Sequence, residues 1–180
     1  MAEAAARIVN LQINELVRRC IKSDGVRHYY DIAVIGYDEE AYSDWKGELE
    51  GRDFVSPEEL RDNPYKKIVT REEKRTRKGV VVKEVEKVLL TEWMEKHHEK
   101  DCYPPTIINI TDGWFNGASN DYVLQQANEL KSMFTNDGNV ILFNIHFTNE
   151  DTVESIACPI MKEELNNDVY AEMLFDMSSL

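Results

Sequence analysis

The sequence lacks long hydrophobic runs, paired cysteines and a signal peptide. No apolar stretch approaches the ~20 residues that a membrane-spanning helix needs. The N-terminus, Met-Ala-Glu-Ala-Ala-Ala-Arg, has neither the basic start nor the apolar core of a secretory signal. The three cysteines are widely spaced and match no zinc motif (Cys20, Cys102 and Cys158). These absences predict a cytoplasmic protein that contains no disulfides and does not enter a membrane.

Positive charge is also scarce. The 180 residues carry a net charge of −13, which argues against a general nucleic-acid binder because phosphate contacts need Lys and Arg. Residues 66–78 reverse this trend, with seven basic and two acidic side chains. That segment fits either a basic tip that contacts an acidic partner or a solvated hairpin tip whose charges prevent aggregation, and its lack of aromatic side chains favours the second interpretation.

Several catalytic signatures are missing. The chain contains no Gly-rich phosphate loop, no Gly-x-Ser-x-Gly elbow and no His-Glu-x-x-His motif. Adjacent histidines at 97 and 98 point to different faces of a predicted helix and make a poor chelate. The sequence around Cys102 offers no nearby histidine to activate a nucleophile.

What the sequence does contain is an alternation of amphipathic and continuously apolar segments. Helices are predicted over 2–22, 86–99, 118–135 and 161–175, and strands over 29–37, 106–111 and 139–146, with a β-hairpin insertion near 66–85. The spacing of apolar residues predicts Leu11 on the inner face of the first helix and Phe134 on that of the third. Strands that are apolar throughout indicate a mainly parallel sheet covered by helices on both faces. The predicted fold is a single α/β domain over residues 1–180.

The most informative segment ends one of these strands. Thr106 to Ile110 form a short apolar run, followed by Thr111, Asp112 and Gly113. Ligands of open α/β sheets bind at the carboxyl ends of the strands, and a carboxylate there suits a hard cation such as Mg²⁺. The structural alternative is that Asp112 only caps the following turn.

Three phrases together resemble a bacterial von Willebrand factor A (VWA) domain: Tyr30-Asp31-Ile32-Ala33-Val34-Ile35-Gly36-Tyr37, the stretch from Tyr103-Pro104-Pro105 to Thr111-Asp112-Gly113, and Asp137-Gly138-Asn139 through His146. The resemblance covers about residues 2–160. It implies a Rossmann-like fold with a metal-ion-dependent adhesion site at the carboxyl edge of the sheet. In that family an Asp-x-Ser-x-Ser loop, a Thr loop and a later Asp hold a cation, which binds a carboxylate of a partner protein, and Asp112 matches the later Asp.

The sequence departs from this family at the other two loops. No strand with Asp-x-Ser-x-Ser precedes the first helix, and the nearest candidates for the Thr ligand, Thr70 and Thr76, lie in the basic segment. The phrase Asp176-Met177-Ser178-Ser179-Leu180 begins like that loop but fails at its fifth position. The missing first strand suggests a fragment or a shortened relative, and the site is expected to be partial, with Mg²⁺ bound weakly or not at all.

The expected function is therefore a non-enzymatic protein–protein interaction module with a degenerate adhesion site. Asp112 is the predicted metal ligand, and Gly113, Trp114 and Asn116 are predicted to contact a partner protein. Because the first strand is missing, a homodimer or a strand-completing partner is also expected.

The alternative is a Mg²⁺-dependent hydrolase. It would use Asp112 with strand-end acidic residues at positions 38–40, and with His146 as an acid, base or ligand. His146 could instead be a strand-end histidine bound to loop backbone.

Overall fold

The computed structural model describes residues 2–37, 41–63, 90–97, 101–113, 118–147 and 155–179. The chain divides into two compact units, Met1–Lys74 and Arg75–Leu180. The described residues form a mixed α/β structure of helices and small sheets that include one parallel pair. The mixed α/β class is confirmed, while the single Rossmann-like domain and the hairpin near 66–85, which lies outside the described residues, stay predictions.

The first unit begins with helix α1, Ala2–Cys20, close to the predicted span. The buried side chains along it are Ile13 and Cys20, and Val9, Leu16 and Val17 pack partly against the core. Leu11 was predicted to face inward but is 56% exposed. The apolar face is therefore rotated from the predicted one, because positions 9, 13, 16, 17 and 20 make a more continuous stripe at helical spacing.

Short antiparallel pairs and one capped helix complete this unit. Strands β1 (Ile21–Lys22) and β2 (Gly25–Val26) pair, as do β3 (Ile35–Tyr37) and β4 (Ala41–Ser43), followed by a 3-10 turn at Gly47–Leu49 and helix α2 at Pro57–Asp62. These elements enclose the buried indole of Trp45 together with Ile13, Ile32, Leu49, Val55 and Leu60.

The predicted strand 29–37 is formed only over its last three residues. Ile32 makes a single antiparallel bridge with Val55, and the strand Ile35–Tyr37 pairs with its neighbour in sequence. Tyr29 and Tyr30 are exposed. The apolar run reflects the core around Trp45, and its described pairings are antiparallel.

The second unit contains the parallel pair. Helix α3 spans Thr91–His97, strand β5 Thr106–Thr111, helix α4 Asn120–Ser132, strands β6 and β7 Phe134–Thr135 and Gly138–Asn139, strand β8 Ile141–His146, a 3-10 turn Lys162–Leu165, and helix α5 Val169–Met177. Strands β5 and β8 run parallel in register from Thr106↔Ile141 to Thr111↔His146. Strand β5 has the predicted span of 106–111, and β8 ends at the predicted residue 146 but begins at Ile141 instead of 139.

One face of the parallel pair is covered by helices α4 and α5. The core there contains Val123, Ala127, Leu142, Met173, Leu174 and Met177. On the other face, Ile108 and Phe143 lie in register and are 46% and 49% exposed. The predicted cover of both faces by helices is seen for one face among the described residues, and for the other face it stays a prediction.

Helix α4 ends at Ser132, before the predicted residue 135. Phe134, predicted to lie on the inner face of α4, falls beyond the helix in β6 and is 66% exposed. Among the described residues, no helix combines the length and the apolar character that crossing a bilayer requires.

Candidate functional site at the strand ends

The carboxyl ends of β5 and β8 meet at one edge. Thr111 pairs with His146, and the backbone N–H of Phe147 donates to the Thr111 carbonyl at 3.0 Å. Asp112 and His146 therefore lie at the same edge, as the sequence predicted. This is the position at which open α/β sheets bind ligands.

The chain leaves β5 through Asp112 and Gly113. The backbone N–H of Gly113 donates to the hydroxyl of Thr111 at 3.2 Å, and Thr111 is buried. Gly113 has φ +79°, and a Cβ at this position would lie 2.6 Å from Cβ of Tyr170 and 3.1 Å from Nε2 of His146. Only glycine fits, because any side chain would clash there and would also be strained in the left-handed region.

His146 bridges the two strand ends. Its Nε2 lies 3.1 Å from the Asp112 carbonyl oxygen. A carbonyl only accepts, so this nitrogen carries the proton. Nδ1 faces the carboxylate of Asp168, with 3.7 Å between Nδ1 and Oδ2, which is beyond hydrogen-bond length. The side chain is thus held as a strand-end histidine that bonds loop backbone.

Asp168 begins helix α5. Its Oδ1 accepts from the backbone N–H groups of Tyr170 at 2.9 Å and Ala171 at 3.1 Å. This is the N-cap arrangement, in which a carboxylate satisfies backbone donors that have no partner within the helix. The Asp168 carboxylate thus fixes the start of α5 close to His146.

The first turn of α5 places apolar side chains beside this edge. Val169 is 71% exposed and Tyr170 is 41% exposed. Tyr170 also lies directly against Gly113. The surface next to Asp112 therefore combines two exposed apolar side chains with the two carboxylates, and the surrounding sequence is acidic: residues 91–180 contain 16 Asp and Glu against four Lys, with no Arg.

The predicted site residues are only partly brought together. Asp112 is exposed at the edge, whereas Gly113 is buried and offers little surface to a partner. Trp114, Asn116, Thr70, Thr76 and positions 38–40 lie outside the described residues, so their predicted roles stay predictions. Within the described ranges, no group of three His, Cys, Asp or Glu side chains could hold a metal ion.

A polar network joins strands β5 and β8 to helix α5, next to this edge. Nδ2 of Asn109 donates to Oδ1 of Asn144 across the paired strands at 2.7 Å. Nδ2 of Asn144 donates in turn to the Leu174 carbonyl at 3.0 Å and to the Ser178 hydroxyl at 2.9 Å. The two asparagines therefore tie both strands to α5.

His97 and Cys102, which the sequence analysis considered as a chelate and a nucleophile, both make local structural contacts. Nδ1 of His97 lies 2.7 Å from the carbonyl oxygen of Trp93, four residues earlier, and the two rings stack with centroids 4.2 Å apart. The thiol of Cys102 donates to the His97 carbonyl at 3.6 Å. Both side chains therefore contact the backbone at the end of α3.

Sequence reasoning missed Asp168, Val169 and Tyr170. The prediction ran one helix from 161 to 175, whereas the chain breaks at Asn166 and Asn167, which both have positive φ, and starts α5 after Asp168. The signal was present: an Asn-Asn-Asp run commonly ends one turn and caps the next helix.

No family model, no curated protein and no solved structure matches this chain.

Proposed function

We propose that this chain is a non-enzymatic protein–protein interaction module of VWA-like, Rossmann-like architecture, and that its partner protein binds at the carboxyl edge of β5 and β8. The observation that carries this proposal is the parallel pairing, which brings Asp112 and His146 to one edge beside the exposed side chains of Val169 and Tyr170. An exposed aromatic side chain on a rigid edge suits a contact residue.

Binding fits this edge better than catalysis. The groups that could perform acid–base chemistry are held in structural contacts: the imidazole of His146 on the Asp112 carbonyl, and the carboxylate of Asp168 on the start of α5. A metal-assisted hydrolase needs a second ligand within reach of Asp112, and the described residues supply no group of three ligands. The hydrolase therefore takes second place.

The interaction is tested by affinity capture with matched variants. Val169→Asp places a charge on the edge, and Gln125→Asp places the same charge on the exposed surface of α4. The proposal predicts that at least one protein from an extract of the source cells is retained by the wild type and by Gln125→Asp but lost from Val169→Asp. Identical protein sets on all three baits would contradict it.

The metal is tested separately, because the proposal has a metal-dependent and a metal-free form. Mg²⁺ and Mn²⁺ are titrated by calorimetry into the wild type, Asp112→Ala and the control Asp101→Ala. Saturable heat that is lost only in Asp112→Ala would support the metal-dependent form, with a partial adhesion site. Equal titration curves for all three proteins would support the metal-free form.

A further inference from the structure

The outer edge of strand β8 is covered by the chain itself. In a parallel pair, the backbone groups of alternate residues face opposite edges. The N–H groups of Ile141 and Phe147 donate to β5 and its flanks, at 3.1 Å to the Pro105 carbonyl and 3.0 Å to the Thr111 carbonyl. The backbone of Leu142 therefore faces away from β5.

Ser179 occupies this outward position. Its N–H donates to the Leu142 carbonyl at 2.8 Å, and the Leu142 N–H donates to the Ser179 hydroxyl at 3.0 Å. Ser178, just before it, has extended backbone angles of φ −68° and ψ 156°. Ser178 and Ser179, named here the serine cap, thus form one rung of strand-like pairing at the edge of β8.

The serine cap is fixed from three directions. The side chain of Asn144, on β8 itself, donates to the Ser178 hydroxyl at 2.9 Å. The same hydroxyl donates to the Leu174 carbonyl of α5 at 2.8 Å. The ammonium of Lys131, at the end of α4, donates to the Ser178 carbonyl at 3.1 Å. These contacts connect the cap to the strand that it covers and to both helices of the core.

Strand β8 is of a kind that needs such cover. Val140 to Ile145 is a run of six residues, Val-Ile-Leu-Phe-Asn-Ile, without charge, proline or glycine. Segments of this composition pair readily with identical segments when their edge is open, and natural proteins block such edges. Phe143 in the middle of the run is already 49% exposed, so an uncovered edge would adjoin an apolar surface.

We propose that the serine cap keeps the chain monomeric, and that its displacement lets β8 pair with β8 of a second copy of this chain. The second copy is the occupant because two identical uncharged strands are self-complementary in an antiparallel, two-fold arrangement. This surface is the side of β8, whereas the proposed partner-binding surface lies at its carboxyl end, so either proposal can fail without the other.

The test is the oligomeric state of two variants at residue 179. Ser179→Pro removes both bonds of the rung, because it lacks the N–H that donates to Leu142 and the hydroxyl that accepts from Leu142, whereas Ser179→Ala loses only the hydroxyl. In analytical ultracentrifugation at micromolar concentration, the wild type is expected to sediment as one 20.9 kDa chain. Ser179→Pro is expected to approach about twice that mass, with Ser179→Ala close to the wild type. A folded Ser179→Pro that stays monomeric overturns the proposal, as does a wild type that dimerises equally.

A second variant covers loss of folding in the first. If circular dichroism shows that Ser179→Pro has lost its helices, the double variant Ser178→Ala/Ser179→Ala carries the test, because it keeps every backbone donor while removing both hydroxyls. Its dimer fraction is expected to exceed that of the wild type, and the Leu142 amide should exchange faster in its monomer. A monomeric double variant with wild-type exchange at Leu142 would overturn the proposal.

Discussion

Each of the two compact units contains its own polar contacts, and these contacts differ in how far apart in sequence their partners lie. In residues 1–74, helix α2 is capped by Ser56 and Glu59, three residues apart in sequence. In residues 75–180, the bond between Asn109 and Asn144 joins residues 35 apart, and that between Asn144 and Ser178 joins residues 34 apart. A local cap stabilises one helix, whereas the long-range network fixes the edge where two strands and α5 meet. The candidate site lies in the second unit, at the strand edge that this network supports.

The largest difference in the free energy of unfolding is expected between substitutions at two glycines that have nearly equal φ angles. Gly113→Ala and Gly51→Ala both put a side chain at positive φ, +79° and +80°, but a Cβ at 113 meets Tyr170 and His146, whereas one at 51 meets nothing within 4 Å. We expect a loss of about 3 kcal/mol at 113, from backbone strain plus the clash, and about 1 kcal/mol at 51 from strain alone.

Urea denaturation, with amide exchange to assign each loss to its unit, measures both variants. Equal losses would contradict the prediction, because they would show that close packing around Gly113 does not stabilise the strand edge.

An intermediate loss of stability is expected when the asparagine network is broken. Asn144→Ala removes the acceptor of the bond from Asn109 and one donor each from the Leu174 carbonyl and the Ser178 hydroxyl, which stay bonded to each other. We expect a loss of about 2 kcal/mol. Asn63→Ala in the first unit removes a single bond to the Glu59 carbonyl at 3.1 Å and should cost about 0.5 kcal/mol. Chemical denaturation of both variants measures the difference, and a cost at Asn63 equal to that at Asn144 would contradict the argument.

The smallest loss of stability, and the one that depends most on pH, is expected when the N-cap of α2 is removed. The backbone N–H and the hydroxyl of Ser56, assisted by Arg52, lower the pKa of Glu59 below its ordinary value of 4.5. Because the folded-state pKa is the lower one, this stabilisation is present above pH 4.5 and is lost as the pH falls through the folded-state pKa. Ser56→Ala should therefore cost about 1 kcal/mol at pH 7 and less at pH 3. Urea midpoints at the two pH values test this, and a cost that grows on acidification would refute it.

The parts that were predictable from sequence are those whose signal is local. Strands β5 and β8 and helix α4 were found because each carries its own apolar pattern, and the meeting of Asp112 with His146 followed from the rule for parallel strands. The inner face of α1 was misjudged because several positions share helical spacing and only packing selects among them. The contacts of Asp168 and Ser179 with β8 could not be predicted, because no repeating pattern in the sequence relates these residues to the strand that they contact. The VWA-like assignment and its site at Asp112 stay predictions.

Partner binding at the carboxyl edge of β5 and β8 is tested most directly by site-specific photo-cross-linking in the source cells. A photoreactive amino acid replaces Val169 at the edge or, as the control, Gln125 on α4, and both positions are exposed. The account predicts a discrete adduct of this chain with another protein from position 169 and none above background from position 125. Equal labelling from both positions, or no adduct from position 169, would contradict it.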